Sequence, residues 1–158
     1  MKPKILVVDD DRSICKLLDS MLGMEDYPHR VVSCGADARK AISEEAFDIL
    51  ISDIYLGDAS GLELLAVMKE QQPSAEVVIM TAHGSVETAV NAVHHGAFDY
   101  ISKPFAVDDM LEILSRIEEK RDLDGPRPTE EARTTLLRRL WWEKHGFIHP
   151  GERPRSPS

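Results

Sequence analysis

The feature that most constrains this chain is an alternation along residues 1–120, where five short apolar runs are separated by five segments of helical periodicity. The runs are continuous and β-branched, as in strands that are covered on both faces. They lie at 4–8, 30–33, 48–52, 76–80 and 100–102. The patterns between and after them predict helices over about 12–24, 36–45, 62–72, 85–95 and 110–120. Repeated strand–helix–strand units build a parallel sheet, so we predict an α/β, doubly wound, five-stranded parallel sheet with helices on both faces.

Composition narrows the class of protein. The chain has 158 residues, of which 42% are hydrophobic and 30% charged, and this suits one soluble globular domain with a short appendage. Its net charge of −9 is concentrated in residues 1–120, so we expect no direct nucleic-acid binding. The apolar runs are too short to span a bilayer, and the N-terminus does not resemble a secretory signal. Cys15 and Cys34 are expected to be free thiols in a reducing cytoplasm.

Chemically suggestive side chains follow four of the five predicted strands. They are Asp9, Asp10 and Asp11 after the first strand, Asp53 after the third, Thr81 after the fourth and Lys103 after the fifth. The carboxyl ends of parallel strands meet at one edge of the sheet, where such folds bind ligands. Each residue alone has an ordinary explanation, because aspartate is common in turns and Asp11 is placed to cap a helix. Together, they predict one site.

The predicted site suits phosphoryl chemistry. Clustered carboxylates raise one another's pKa, and a divalent cation relieves that repulsion. Carboxylates in a site with few protein ligands suit Mg²⁺, which keeps several waters. A carboxylate nucleophile, a metal at the phosphoryl oxygens, and a lysine and a hydroxyl that bind the product together form a phosphoryl-accepting site.

Four segments carry a resemblance to a known family. "ILVVDDD", "LISDIYLGDASGLELL", "VIMTAHGSVETAV" and "GAFDYISKPF" resemble, in order and spacing, the receiver domain of bacterial two-component response regulators. The last two are most similar to the nitrogen-regulator, enhancer-activating class. The resemblance covers residues 1–120 and implies a flavodoxin-like strand order 2-1-3-4-5. It also implies a signalling protein rather than a turnover enzyme, beyond self-phosphorylation from phosphodonors and autodephosphorylation.

The resemblance implies a role for each acidic residue. Asp53 accepts a phosphoryl group from a sensor histidine kinase. Asp10 and Asp53 ligate Mg²⁺ together with the backbone carbonyl of Tyr55, and Asp9 acts through water. The implied cofactor is therefore Mg²⁺, and the implied partner is the kinase.

The resemblance also implies a switch. Thr81 and Lys103 bind the phosphoryl oxygens, and Tyr100 is the aromatic residue that turns inward after Thr81 moves. The Lys103–Pro104 peptide bond is expected to be cis. The surface over residues 85–120 is the expected homodimer or partner face.

One position departs from the family pattern. Gly57 stands where the family usually has proline, four residues after the phosphoacceptor, whereas Gly61 matches. Glycine has the greater backbone freedom, so the loop is expected to be less rigid. Tyr55 and His83 occupy positions that tune dephosphorylation in the family.

Two other classes of protein are weighed against this interpretation. A haloacid-dehalogenase-like phosphohydrolase also places a nucleophilic aspartate on a strand end, and Asp9-x-Asp11 loosely matches its paired acids. Such an enzyme normally needs a cap and more chain, and it would be labelled at Asp9. A protein-binding module without phosphoryl chemistry would be unaffected by Asp53→Asn.

The C-terminal part divides into three predicted segments after a receiver domain at 1–120. Residues 121–128 are predicted to be a linker, 129–145 a helix and 146–158 a disordered tail. The helix carries an apolar stripe that includes Leu136, Leu137 and Leu140, so we expect it to pack on the receiver or on a second copy. We favour a stand-alone receiver with an extension over a fragment of a longer regulator, because the tail does not resemble the usual start of an ATPase domain.

Overall fold

The computed structural model of the protein describes residues 2–82, 86–123 and 130–145. The strands are β1 (Ile5–Val8), β2 (His29–Val32), β3 (Ile49–Asp53), β4 (Tyr55–Leu56), β5 (Ala59–Ser60), β6 (Glu76–Thr81) and β7 (Asp99–Ser102). The helices are α1 (Arg12–Met24), α2 (Gly35–Glu44), α3 (Gly61–Gln71), α4 (Val86–His94), α5 (Val107–Leu123) and α6 (Glu130–His145).

The central sheet has five parallel strands in the order β2-β1-β3-β6-β7. Numbered among themselves, these strands run 2-1-3-4-5, so the predicted fold is confirmed. The additional strands β4 and β5 form a small antiparallel ribbon in the loop after Asp53. That ribbon was not predicted, because two-residue strands are too short to show an alternating pattern.

Both faces of the sheet are buried, as the continuous apolar runs indicate. In β1, Ile5 and Val7 point into the layer beneath α1 and α5, whereas Leu6 and Val8 point into the layer beneath α2, α3 and α4. Successive side chains of a strand alternate between its faces, so one four-residue run supplies both layers. The carboxyl edge of the sheet therefore lies on a rigid, close-packed base.

Most predicted element boundaries lie within one or two residues of the observed ones. Asp11 is the N-cap of α1 and accepts a hydrogen bond from the Ser13 N–H at 2.8 Å, as predicted. Gly96 follows α4 with a φ of 107°, a conformation that favours glycine at the end of a helix. The cysteines Cys15 and Cys34 are free thiols. Among the described helices, none has the length and apolar character needed to cross a membrane.

Helix α5 is longer than the sequence indicated. It continues to Leu123, three residues into the predicted linker, whose remaining residues lie outside the described part of the chain. A tertiary contact accounts for the extra turn, because Arg121 Nη2 donates to Asp48 Oδ1 at 2.7 Å. Thr129, the first residue of the predicted helix, the side chains of Trp141 and Trp142, and the predicted tail 146–158 also lie outside the described residues.

Helix α6 packs against α2. Its Leu137 is only 5% exposed, whereas the neighbouring Leu136 and Leu140 are exposed. Arg133, one turn earlier on α6, forms an ion pair with the buried Asp48. The C-terminal helix is therefore attached at the end of β3 that is opposite to the carboxyl edge.

Candidate functional site

The carboxyl edge of the sheet brings the predicted acidic residues together. Asp9 and Asp10 follow β1, and Asp53 is the last residue of the adjacent β3. Carboxylate oxygens of these three residues lie within 4.8 Å of one another. Asp9 is fully buried, Asp10 is exposed, and the Asp53 side chain is 13% exposed. The cluster thus has one buried wall and one side that is open to solvent.

Lys103 follows β7, a strand at the edge of the sheet, and its side chain extends to this cluster. Its Nζ donates to Asp9 Oδ2 at 2.6 Å and to Asp53 Oδ2 at 3.1 Å. Its backbone N–H donates to the Thr81 carbonyl at 2.7 Å, and the Lys103–Pro104 peptide is cis, as predicted. The lysine is therefore held by its own backbone directly opposite the acids.

Burial and charge act against each other in this cluster. Burial raises the pKa of Asp9, although hydrogen bonds from Lys103 and from the Asp11 N–H oppose the shift. For Lys103, burial lowers the pKa, but its hydrogen bonds to Asp9 and Asp53 outweigh that effect and raise it. Three carboxylates face one ammonium group, so the site retains an excess of negative charge that favours a cation.

Thr81 and Tyr100 lie on the next two strands. Thr81 ends β6, one residue beyond Met80, which pairs with Asp53 in the sheet. Thr81 is 1% exposed, and its hydroxyl donates to the Ala82 carbonyl at 3.1 Å. Tyr100 is half-buried and packs against the core layer under α2, α3 and α4. His83, the other flanking candidate, lies outside the described residues.

The loop after Asp53 is attached at both of its ends. The Ile54 N–H donates to the Met80 carbonyl at 3.0 Å, and the Gly61 N–H donates to the Ile54 carbonyl at 2.7 Å. A Cβ at Gly61 would lie 2.5 Å from the Asp53 carbonyl oxygen, so the close approach requires glycine. Between these ends, Tyr55 projects its side chain into solvent, with 64% of the residue exposed.

Sequence reasoning missed Asp58, which lies in the turn of this loop. Its carboxylate accepts hydrogen bonds from the backbone N–H groups of Gly35 and Ala36 at the start of α2. A signal was present in the sequence, because Cys34 is a poor N-cap residue and leaves the first turn of α2 in need of another acceptor. The sequence alone does not identify that acceptor 23 residues away.

Comparison with known proteins agrees with this geometry. The model of the response regulator receiver domain family matches residues 5–115. A DNA-binding transcriptional regulator NtrC from Proteus hauseri is 42% identical over 130 residues, which are 82% of this chain and 28% of that protein. The chain spans about a quarter of the length of such curated relatives.

Solved structures are similar as well. The solution structure of the beryllofluoride-activated NtrC4 receiver domain dimer has a TM-score of 0.70 and 34% identity, and the match covers 74% of this chain and 97% of that one. NtrX from Brucella abortus in complex with ADP has a TM-score of 0.71 and 34% identity, covering 91% of this chain and 34% of that one.

Proposed function

We propose a function on the premise that this chain belongs to the response regulator receiver domain family: Asp53 accepts a phosphoryl group from a sensor histidine kinase, and the product switches a protein-interaction surface. The observation that carries this proposal is the contact of Lys103 Nζ with both Asp9 and Asp53. This contact joins the ends of β1, β3 and β7 around one carboxylate that remains partly accessible.

The transfer step uses Asp53 as the nucleophile. A carboxylate oxygen of Asp53 forms a bond to phosphorus, the P–N bond to the donor histidine breaks, and its electron pair leaves with the imidazole. Lys103, already 3.1 Å from Asp53 Oδ2, is placed to bind an oxygen of the transferred group. The Thr81 hydroxyl, now bonded to the Ala82 carbonyl, would exchange that partner for a phosphoryl oxygen.

The acidic residues fit a bound Mg²⁺. Three carboxylates within 4.8 Å supply the hard oxygen ligands that this ion prefers, and one lysine does not neutralise them. We assign Asp10, Asp53 and the Tyr55 carbonyl as direct ligands, with Asp9 acting through water. The pairing of Asp9 with Lys103 is consistent with that indirect role. When bound, Mg²⁺ supplies positive charge at the phosphoryl oxygens.

The switch follows from the position of two residues behind the site. In our proposal, Thr81 moves toward the phosphoryl group and Tyr100 turns further inward from its half-buried position. The face over residues 85–120 then changes and binds a second copy or another partner. Exposed valines on α4, Val90 and Val93, support this assignment, and so does the dimer of the activated NtrC4 receiver.

Phosphorylation with a small phosphodonor tests the assignment. With Mg²⁺ and acetyl phosphate, intact-mass analysis should show one added, acid-labile phosphoryl group on the parent protein and none on Asp53→Asn. Equal labelling of both proteins would overturn the assignment. Labelling at Asp9 would favour the phosphohydrolase alternative, which the family match does not support.

A further inference from the structure

Asp58 makes the most specific contact near the site that the proposed mechanism does not use. It lies in the turn between β4 and β5, five residues after Asp53. Oδ1 accepts from the Gly35 N–H at 2.8 Å, and Oδ2 accepts from the Ala36 N–H at 2.9 Å. Both carboxylate oxygens therefore bind consecutive amides of another element. These hydrogen bonds, from Gly35 first and then Ala36, hold the pKa of Asp58 below its ordinary value.

The start of α2 is built to receive this carboxylate. The first N–H groups of a helix lack partners within the helix, and the Cys34 side chain provides none here. At Gly35, a Cβ would lie 2.5 Å from the Cβ of Ala59 and 3.1 Å from Asp58 Oδ1. Only glycine permits the loop to approach so closely. The contact thus depends on the residues of both partners, the loop and the helix.

This contact adds a restraint at the tip of the loop, beyond the β4–β5 ribbon. Ile54 and Gly61 hold its two ends, but the turn carries Gly57, whose added Cβ would meet nothing within 4 Å. The Gly57 backbone also lies outside the left-handed region, so this conformation does not require glycine. Neither the packing nor the backbone of Gly57 restrains the turn. The β4–β5 ribbon and the buried Leu56 hold its base, and the Asp58 contact attaches its tip to α2.

We infer that Asp58 is a positioning residue for the chemistry at Asp53, because its contact with α2 helps to hold the loop that carries the Tyr55 carbonyl. This inference rests on the proposed function of Asp53 and the Tyr55 carbonyl.

The test compares Mg²⁺ affinity and phosphoryl half-life in full-length variants. For Asp58→Ala we expect Mg²⁺ binding to weaken about tenfold, the lower end of the effect of removing groups that orient metal ligands. The half-life of phosphorylated Asp53 should change in the same variant, since the loop that carries Tyr55 loses its attachment to α2. Asp37→Asn, which removes a carboxylate from the first turn of α2 without touching the loop, is the matched control and should behave as the parent.

A second substitution separates positioning from helix capping. Gly57→Pro in the Asp58→Ala background restricts the loop without restoring the acceptor for α2, so it should recover Mg²⁺ affinity and half-life but not thermal stability. Parent-like affinity and half-life in Asp58→Ala would overturn the inference while leaving the proposed function intact. Recovery of neither property by Gly57→Pro would also overturn it. Failure of the parent to label at Asp53 would instead refute the proposed function.

Discussion

The two ends of β3 carry aspartates with different charged neighbours, the buried Asp48 and the partly accessible Asp53. At the carboxyl end, Asp53 lies with Asp9 and Asp10, and among the described residues Lys103 is the cation that contacts them. At the other end, Asp48 alone accepts from three donors. These are the Lys4 backbone N–H, Arg121 Nη2 and Arg133 Nη1.

The pKa shifts reflect this difference. Burial raises the pKa of Asp48, but hydrogen bonds from Arg133 and the Lys4 N–H, with the charges of Arg121 and Arg133, lower it overall. Burial leaves the pKa of Asp9 raised despite its contact with Lys103. Both oxygens of Asp48 accept hydrogen bonds from donors that favour its charged form. Asp9 and Asp53 instead share the ammonium group of Lys103, and a bound cation would relieve the repulsion among the clustered carboxylates. Strand β3 thus has an ion-paired aspartate before its first residue, called the structural end below, and the proposed phosphoacceptor at its last residue.

The sharpest difference between the ends should appear in metal binding. Asp10→Ala is expected to abolish Mg²⁺ binding, because a direct ligand is lost. Without metal, this variant should be no less stable than the parent, since carboxylate repulsion is reduced. Calorimetric titration and thermal unfolding measure the two properties. Unchanged Mg²⁺ affinity would exclude Asp10 as a ligand.

Removing the acid at the structural end should have the opposite result. Asp48→Ala removes a buried carboxylate that both Arg121 and Arg133 contact, and we expect unfolding to become easier by about 3 kcal/mol. Below its melting temperature, the variant should still label at Asp53. Chemical denaturation combined with intact-mass analysis measures both. A loss of labelling by the folded variant would show that the two ends are coupled.

A smaller effect is expected when only α6 loses its contact. Arg133→Gln should lower stability by about 1.5 kcal/mol, the lower end of the range for hydrogen bonds to charged groups, and should release α6 from α2. Amide hydrogen exchange of α6 should rise while that of β3 is unchanged. Arg138→Gln, on the exposed side of α6, is the matched control and should show no change. Equal protection in both variants would mean that Leu137 alone holds the helix.

The smallest expected change is the effect of acid on the stability difference between the parent and Arg133→Gln. The folded pKa of Asp48 is lowered, so its stabilising contribution is complete above the unfolded value of about 3.9 and is lost as pH falls through the folded value. The charged groups that face it are Arg121 from α5 and Arg133 from α6. The stability difference between the parent and Arg133→Gln should therefore be constant from about pH 7 to 5 and shrink below about pH 4. A difference that grows in acid would contradict this assignment.

Much of the architecture was determined by local sequence. Continuous apolar runs in β1, β3 and β6 indicate that both faces of the sheet are covered, and the strand–helix order then makes the sheet parallel. Residues at strand ends must share an edge in such a sheet, which is why the meeting of Asp9, Asp53 and Lys103 was predictable. Asp11 as a helix cap was equally local, because a cap acts within its own turn.

The tertiary structure decided what depends on distant partners. Asp58 reaches α2 across 23 residues, and Asp48 binds Arg133 across 85. Packing of α6 on the receiver was one of two predicted possibilities, but its place beside α2 and the last turn of α5 depend on contacts with Asp48 and were not predicted. Periodicity reports which face of an element is buried, but it does not report which charged side chain completes another element's hydrogen bonds. That choice requires two surfaces to meet, and only the folded chain brings them together.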